Sequence, residues 1–154
     1  MNILLIKHPT THFYKTAPPV SGIPLGILYV ATSLKKAGHD VHVFDAIVGA
    51  DEKRWGFKES GDIYMMGATW GEIKNVIRNI KPDVVGVSNQ YTSQVVNAVK
   101  TAEAVKEVNS GIRVVMGGPH ASVLPSTFFT ETSAVDYVVM GEGELTMVEL
   151  IESI

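Results

Sequence analysis

Four short runs of uninterrupted apolar residues punctuate the chain: Ile3-Leu4-Leu5-Ile6, Val84-Val85-Gly86-Val87, Val114-Val115-Met116 and Tyr137-Val138-Val139-Met140. Strands that are apolar on both faces belong in a parallel sheet covered by helices on each side, so these four are expected as central strands. Val41-His42-Val43-Phe44 mixes in a polar residue and suits an edge strand. Between the runs the period changes. Ile73, Val76, Ile77 and Ile80 form one helical stripe, and Val95, Ala98, Val99, Ala102 and Val105 form another. Pro24 fits the first turn of a helix reaching Ala37, Lys35 and Lys36 complement its C-terminal dipole, and Gly38 suits a left-handed cap. A last helix is expected from Leu145 to Ile154, and a chain that stops inside it is expected to continue.

Five β/α units of this kind predict a flavodoxin-like doubly wound parallel sheet of five strands in the order 2-1-3-4-5, a Rossmann-like three-layer α/β/α arrangement. Two segments exceed a minimal unit. His8 to Gly22 reads as a long first crossover loop, and Ile47 to Gly71 as a polar insertion carrying Trp55, Met65, Met66 and Trp70, whose large side chains are expected to pack.

A chain of 154 residues is about one domain and should fold alone. Its formal net charge of -3 and pI near 5.9 provide no basic field for nucleic acid. With no cysteine, no disulfide, thiolate nucleophile or cysteine-held cluster lies within these residues. No run approaches the roughly 18 apolar residues of a membrane span, so a cytoplasmic protein without membrane or nucleic-acid partners is expected.

The usual tenants of such a sheet are missing. After the first strand stands Lys7-His8-Pro9-Thr10-Thr11, with neither the Gly-x-Gly-x-x-Gly of a dinucleotide fold nor a Walker loop nor the acidic residues of a phosphorelay receiver. What remains are small and polar residues at strand ends: Ser88-Asn89-Gln90-Tyr91-Thr92, Gly117-Gly118-Pro119-His120-Ala121-Ser122 and Gly141-Glu142-Gly143. Glycines there admit a flat or bulky group to the backbone, and Ser88 and Thr92 offer hydroxyls; the same glycines also serve as tight turns. These loops should share the ligand-binding edge of the sheet.

In this setting the chain resembles the N-terminal cobalamin-binding domain of B12-dependent radical S-adenosylmethionine enzymes. The resemblance is carried by Gly22-Ile23-Pro24-Leu25-Gly26-Ile27-Leu28-Tyr29, Lys81-Pro82-Asp83-Val84-Val85-Gly86-Val87-Ser88, Gly117 to Ser122, and Asp136-Tyr137-Val138-Val139-Met140-Gly141-Glu142-Gly143-Glu144. It implies cobalamin bound with its nucleotide tail displaced and no protein histidine on cobalt. Asp40-Val41-His42 matches only the start of the Asp-x-His-x-x-Gly motif that supplies that histidine elsewhere in the B12 fold, and it lies on a strand; the ligand's place falls near Ser21. The cofactor-binding residues implied are Ser21, Gly22, Pro24, Leu25, Ser88, Asn89, Tyr91, Thr92, Gly117, Gly118, Pro119, His120, Gly141, Glu142 and Gly143. No catalytic residue and no protein metal ligand is expected.

His8 and His12 could approach the lower face of a corrin but are expected unliganded, and Glu142 and Glu144 are expected to serve the helix dipole rather than acid–base chemistry. Added methyl groups at Gly118 are expected to fill the space of the tail while leaving the fold intact.

A corrin with its tail is too large for so small a domain to surround, so one wall should come from elsewhere. The resemblance implies that this wall is a following radical domain of the same chain, holding S-adenosylmethionine and a 4Fe–4S cluster. The implied reaction is methyl transfer, or a ring-forming or oxidative rearrangement like that of the anaerobic Mg-protoporphyrin ester cyclases, on a small-molecule substrate. Two other readings stay open: a stand-alone flavodoxin-like domain for a nucleotide, a flavin or regulation, and a glycosyl- or nucleotide-transferring domain.

Overall fold

The computed structural model describes residues 1–12, 22–49, 57–60 and 63–154; Ser21, Trp55 and parts of the two long segments lie outside these. In chain order the elements are β1 (Asn2–Lys7), β2 (Thr10–His12), α1 (Leu25–Lys36), β3 (Asp40–Asp45), β4 (Phe57–Ser60), β5 (Ile63–Met66), α2 (Trp70–Ile80) and β6 (Val84–Ser88). A 3-10 turn at Thr92–Gln94 leads into α3 (Val95–Val108), followed by β7 (Arg113–Gly117), α4 (Pro119–Val123), α5 (Thr127–Glu131), β8 (Tyr137–Val138) and α6 (Gly143–Ser153).

The main sheet is parallel throughout, in the order β3-β1-β6-β7-β8. Strands taken in sequence therefore sit 2-1-3-4-5, as the alternating pattern predicts. Side chains alternate across it. Leu4, Ile6, Val85, Val87, Val114 and Met116 pack against α2 and α3, while Ile3, Leu5, Val84 and Val115 pack against α1 and α6. The apolar runs are long because each strand has two buried faces.

One expectation is corrected here. Tyr137–Met140 is not a central strand: β8 is a two-residue edge strand beside β7. The run is apolar because Val138 packs into the α2/α3 core and Val139 into the α1/α6 core. Burial on both faces extends to the edge, so an apolar run does not mark a central position by itself. β3 is the opposite edge, as its polar His42 implies.

The long segments are also not structureless. β2, β5 and β4 form a second, antiparallel sheet in the order β2-β5-β4, drawing one strand from the first crossover and two from the insertion. Met65 and Met66 are buried and Trp70 packs against the core, as large apolar side chains should. Gln94 joins this small sheet to the large one. Its side-chain amide accepts from the Thr11 N–H (2.8 Å) and donates to the Thr11 carbonyl (3.0 Å), the pairing a neighbouring strand would make. Asn97 adds a hydrogen bond to the Thr11 hydroxyl (2.6 Å).

Helix ends obey local chemistry. Pro24 is the residue before α1, and Gly38, just past its end, has φ +90°. α2 starts in a capping box: the Glu72 N–H donates to Thr69 Oγ1, and the Thr69 N–H to the Glu72 carboxylate. Helix α6 runs over Gly143–Ser153, with Glu144 in its first turn where an acid favours the dipole.

Candidate functional site

The register of the central strands lays the site out in layers. Lys7, Ser88 and Gly117 are partners across β1, β6 and β7 at their C-terminal ends, and Leu5, Gly86 and Val115 are partners two residues deeper on the same face. At about 3.3 Å per residue the second layer lies some 7 Å below the rim. Above it a cleft of about 390 Å³ lies between the starts of α1 and α6. Its floor is Leu5, Gly86 and Val115, and its walls are Ile27 and Val30 of α1 with Val139 and Met147.

Gly86 keeps that floor low. A Cβ there would lie 2.7 Å from Leu5 Cδ2, so a larger residue would push Leu5 up into the cleft. A glycine inside a central strand often marks such a close approach. Gly26 on α1 opens the other side, with nothing within 4 Å of a Cβ built on it.

The three rim loops are tied together. Asn89 N–H donates to the Gly117 carbonyl (2.8 Å), His120 N–H to the Asn89 carbonyl (3.3 Å), and Gly141 N–H to Ser122 Oγ (2.8 Å). The loops after β6, β7 and β8 therefore form one continuous edge, as the strand-end motifs predict.

A second cleft of about 550 Å³ adjoins the first, with Gly26, Ile27, Ser88 and Pro119 lining both. It is more polar, lined by Lys7, His8, Thr10, His12, Gln90, Tyr91 and Gln94 as well as Gly22 to Leu25. Lys7 Nζ bonds Asp45 Oδ2 (3.0 Å) and the Gly22 carbonyl (3.1 Å), which anchors the approach to α1. His8 is buried, its Nδ1 donating to the Pro9 carbonyl (2.7 Å) and its Nε2 lying 3.3 Å from the Asn89 side-chain amide. Desolvation by burial, its largest influence, pulls the His8 pKa below the usual histidine value. Burial therefore favours the uncharged ring, whose single proton is committed at Nδ1 to the Pro9 carbonyl.

Eleven of the expected cofactor residues line one cleft or both: Gly22, Pro24, Leu25, Ser88, Tyr91, Gly117, Gly118, Pro119, Gly141, Glu142 and Gly143. Asn89, Thr92 and His120 belong to neither lining. Asn89 is fully buried under the Gly118 turn, and Thr92 Oγ1 meets His120 Nδ1 at 3.0 Å while the His120 ring packs edge-on against Phe128. Ser21 lies outside the described residues. The sequence reading missed the apolar inner wall of Leu5, Gly26, Ile27, Val30, Gly86, Val115, Val139 and Met147. Only Gly86, a glycine breaking an apolar run, signalled it.

The expectation for Gly118 is also corrected. A Cβ there would meet the Asn89 backbone, 2.6 Å from its carbonyl oxygen, rather than open space, and φ is +97°. Gly118 is required by the turn itself.

Among the described residues no three His, Cys, Asp or Glu side chains gather as a metal site. No described helix is long and apolar enough to cross a membrane.

The chain is similar to longer proteins. It is 33% identical over its full length to an uncharacterized methyltransferase of Pyrococcus horikoshii, of which it spans 29%. It is 28% identical, again along its whole length, to the anaerobic magnesium-protoporphyrin IX monomethyl ester cyclase of Rubrivivax gelatinosus, spanning 24% of that protein. Over 72 residues, 47% of this chain and 10% of the relative, it is 38% identical to the cobalamin-dependent radical SAM methyltransferase TokK of Streptomyces tokunonensis. The chain thus spans under a third of the length of each relative. The family model of the B12 binding domain matches residues 12–151. With an α/β sheet whose C-terminal edge opens into paired clefts, this chain belongs to the B12 binding domain family.

Proposed function

We propose that this domain binds cobalamin and positions it for a radical S-adenosylmethionine enzyme that carries out methyl transfer or a ring-forming rearrangement on a small molecule. The observation that carries the reading is the open apolar slot between α1 and α6 over Leu5, Gly86 and Val115. A planar tail base fits such a slot, while its sugar-phosphate link would reach the rim at Ser88, Gly117 and Gly141.

Bound there, cobalamin would supply a cobalt centre able to carry a methyl group or exchange electrons. The chain's own work is placement. Gly117, Gly118 and Gly141, joined by the loop-to-loop hydrogen bonds, would hold the tail at the rim; Gly22, Pro24, Leu25, Tyr91 and Pro119 line the second cleft, which would face the corrin; buried Asn89 and His120, the latter bonded to Thr92, would support the rim.

We further propose that no protein nitrogen reaches cobalt. In support, His8 is buried with its Nδ1 on the Pro9 carbonyl, His12 Nε2 lies 3.2 Å from Thr10 Oγ1, and His42 is on the edge strand β3, 3.5 Å from Asp40. A missing wall is consistent with exposed apolar residues beside the clefts: Ile23, Leu25, Tyr91, Met140 and Leu145. A radical domain of the same full-length chain, holding S-adenosylmethionine and the iron–sulfur cluster, would cover them. In isolation this domain should therefore bind weakly.

Isothermal titration with cobalamin, flavin mononucleotide and a uridine diphosphate sugar tests the reading. One cobalamin per chain is expected. Saturable flavin or sugar-nucleotide binding that cobalamin does not displace overturns it.

A further inference from the structure

We infer that the inner slot selects corrinoids by the polarity of their tail base, taking a benzimidazole or phenol ring in preference to a purine. This rests on the cobalamin reading and concerns only which tail is accepted.

The polar side chains that line the slot are confined to its mouth. Ser88 sits one layer above Gly86, Glu142 and Glu144 belong to the start of α6, and Ser122 Oγ is already engaged with the Gly141 N–H and the Gly118 carbonyl (3.3 Å). Below them the lining is Leu5, Gly86, Val115 and Met147, with Val30 and Val139 as further apolar lining nearer the rim. The backbone offers little more, because the floor strands are paired in the parallel ladder on both sides of β6.

An adenine base brings an exocyclic amine and several ring nitrogens into this layer, where nothing in the lining pairs with them. A buried polar group without a partner loses the full benefit of its hydration. A cresol ring has no such atoms beyond its linkage oxygen, and dimethylbenzimidazole has one free nitrogen and two methyl groups that gain from burial. The gradient from polar mouth to apolar floor therefore reads the chemistry of the tail base.

The test is the affinity of this chain for three corrinoids differing only in tail base: p-cresol, dimethylbenzimidazole and adenine. The cresol tail cannot coordinate cobalt, so its affinity carries no cost of detaching the base. Titration calorimetry is expected to show the cresol tail binding at least about 10-fold more tightly than adenine, with dimethylbenzimidazole also ahead of adenine. Met147→Gln, which places an amide in the inner layer, is expected to narrow the cresol-to-adenine ratio at least about 3-fold. Equal or tighter binding of the adenine tail by the unaltered chain overturns the inference and leaves the cobalamin reading standing. Failure of all three to bind overturns both.

Discussion

Ser122 Oγ accepts a hydrogen bond from the Gly141 N–H at 2.8 Å, which clasps α4 to the turn that opens α6. This is a direct tie between the second and third glycine loops, and it crosses the rim of the slot. Ser122→Ala leaves the Gly141 N–H without that partner and is expected to cost about 1 kcal/mol of stability. If the clasp also holds the rim for a ligand, cobalamin affinity should fall about 3- to 10-fold, because the loops must be ordered during binding. Urea unfolding and titration calorimetry on the same variant separate the two effects. Lost stability with unchanged affinity would make the clasp purely structural.

Gly26 and Gly118 should behave oppositely. Gly26→Leu projects into open space on α1, so it is expected to leave the fold intact or stabilise it by up to about 1 kcal/mol while filling the slot. Cobalamin affinity should drop at least about 10-fold, as buried volume is lost to the new side chain.

Gly118→Ala puts a Cβ against the Asn89 backbone at a positive φ, and at least about 2 kcal/mol of destabilisation is expected. Thermal and urea unfolding should show the loss directly. A retention assay on this variant would report on folding before it reported on the site.

His8 makes stability depend on pH. Its folded pKa lies below the unfolded value of 6.5, so the native state holds fewer protons than the unfolded chain between the two. The contribution is fully present above pH 6.5 and is lost as pH falls through the folded pKa, with a slope of at most about 1.4 kcal/mol per pH unit. Urea midpoints compared at pH 7.5 and about pH 5 should show this loss, and His8→Gln, which cannot charge, should flatten it. An equally steep slope in the variant would assign the effect to other groups.

The main sheet is legible because parallel strands buried on two faces write continuous apolar runs, and because Lys35-Lys36 followed by Gly38 and the stripes of α2 and α3 mark helices between them. The start of α2 was legible too, in the Thr69-to-Glu72 spacing, though the segment reads as loop when its polar composition is weighed first. The antiparallel sheet left little trace. β2 and β5 are three and four residues long, and β2 is held by the side chain of Gln94, which is remote in sequence.

The rim of the site was legible in glycine and small polar residues at strand ends. Its interior was not. Leu5, Val115 and Met147 look like any core residues, and only the cleft left between the starts of α1 and α6 above Gly86 distinguishes a slot from a closed core. That cleft is a property of tertiary packing, and only Gly86 hints at it in the chain.

Electron paramagnetic resonance of the domain reconstituted with cob(II)alamin tests the central claim most directly. On the proposed account the tail would occupy the α1/α6 slot, leaving its base off the cobalt, and neither His8 nor His12 would replace it. The predicted signal has no nitrogen superhyperfine splitting. Nitrogen splitting contradicts the account: if it persists in His8→Ala and His12→Ala, the cofactor's own base is still on cobalt and the slot is empty of it, and if it disappears in either, the first crossover supplies a ligand.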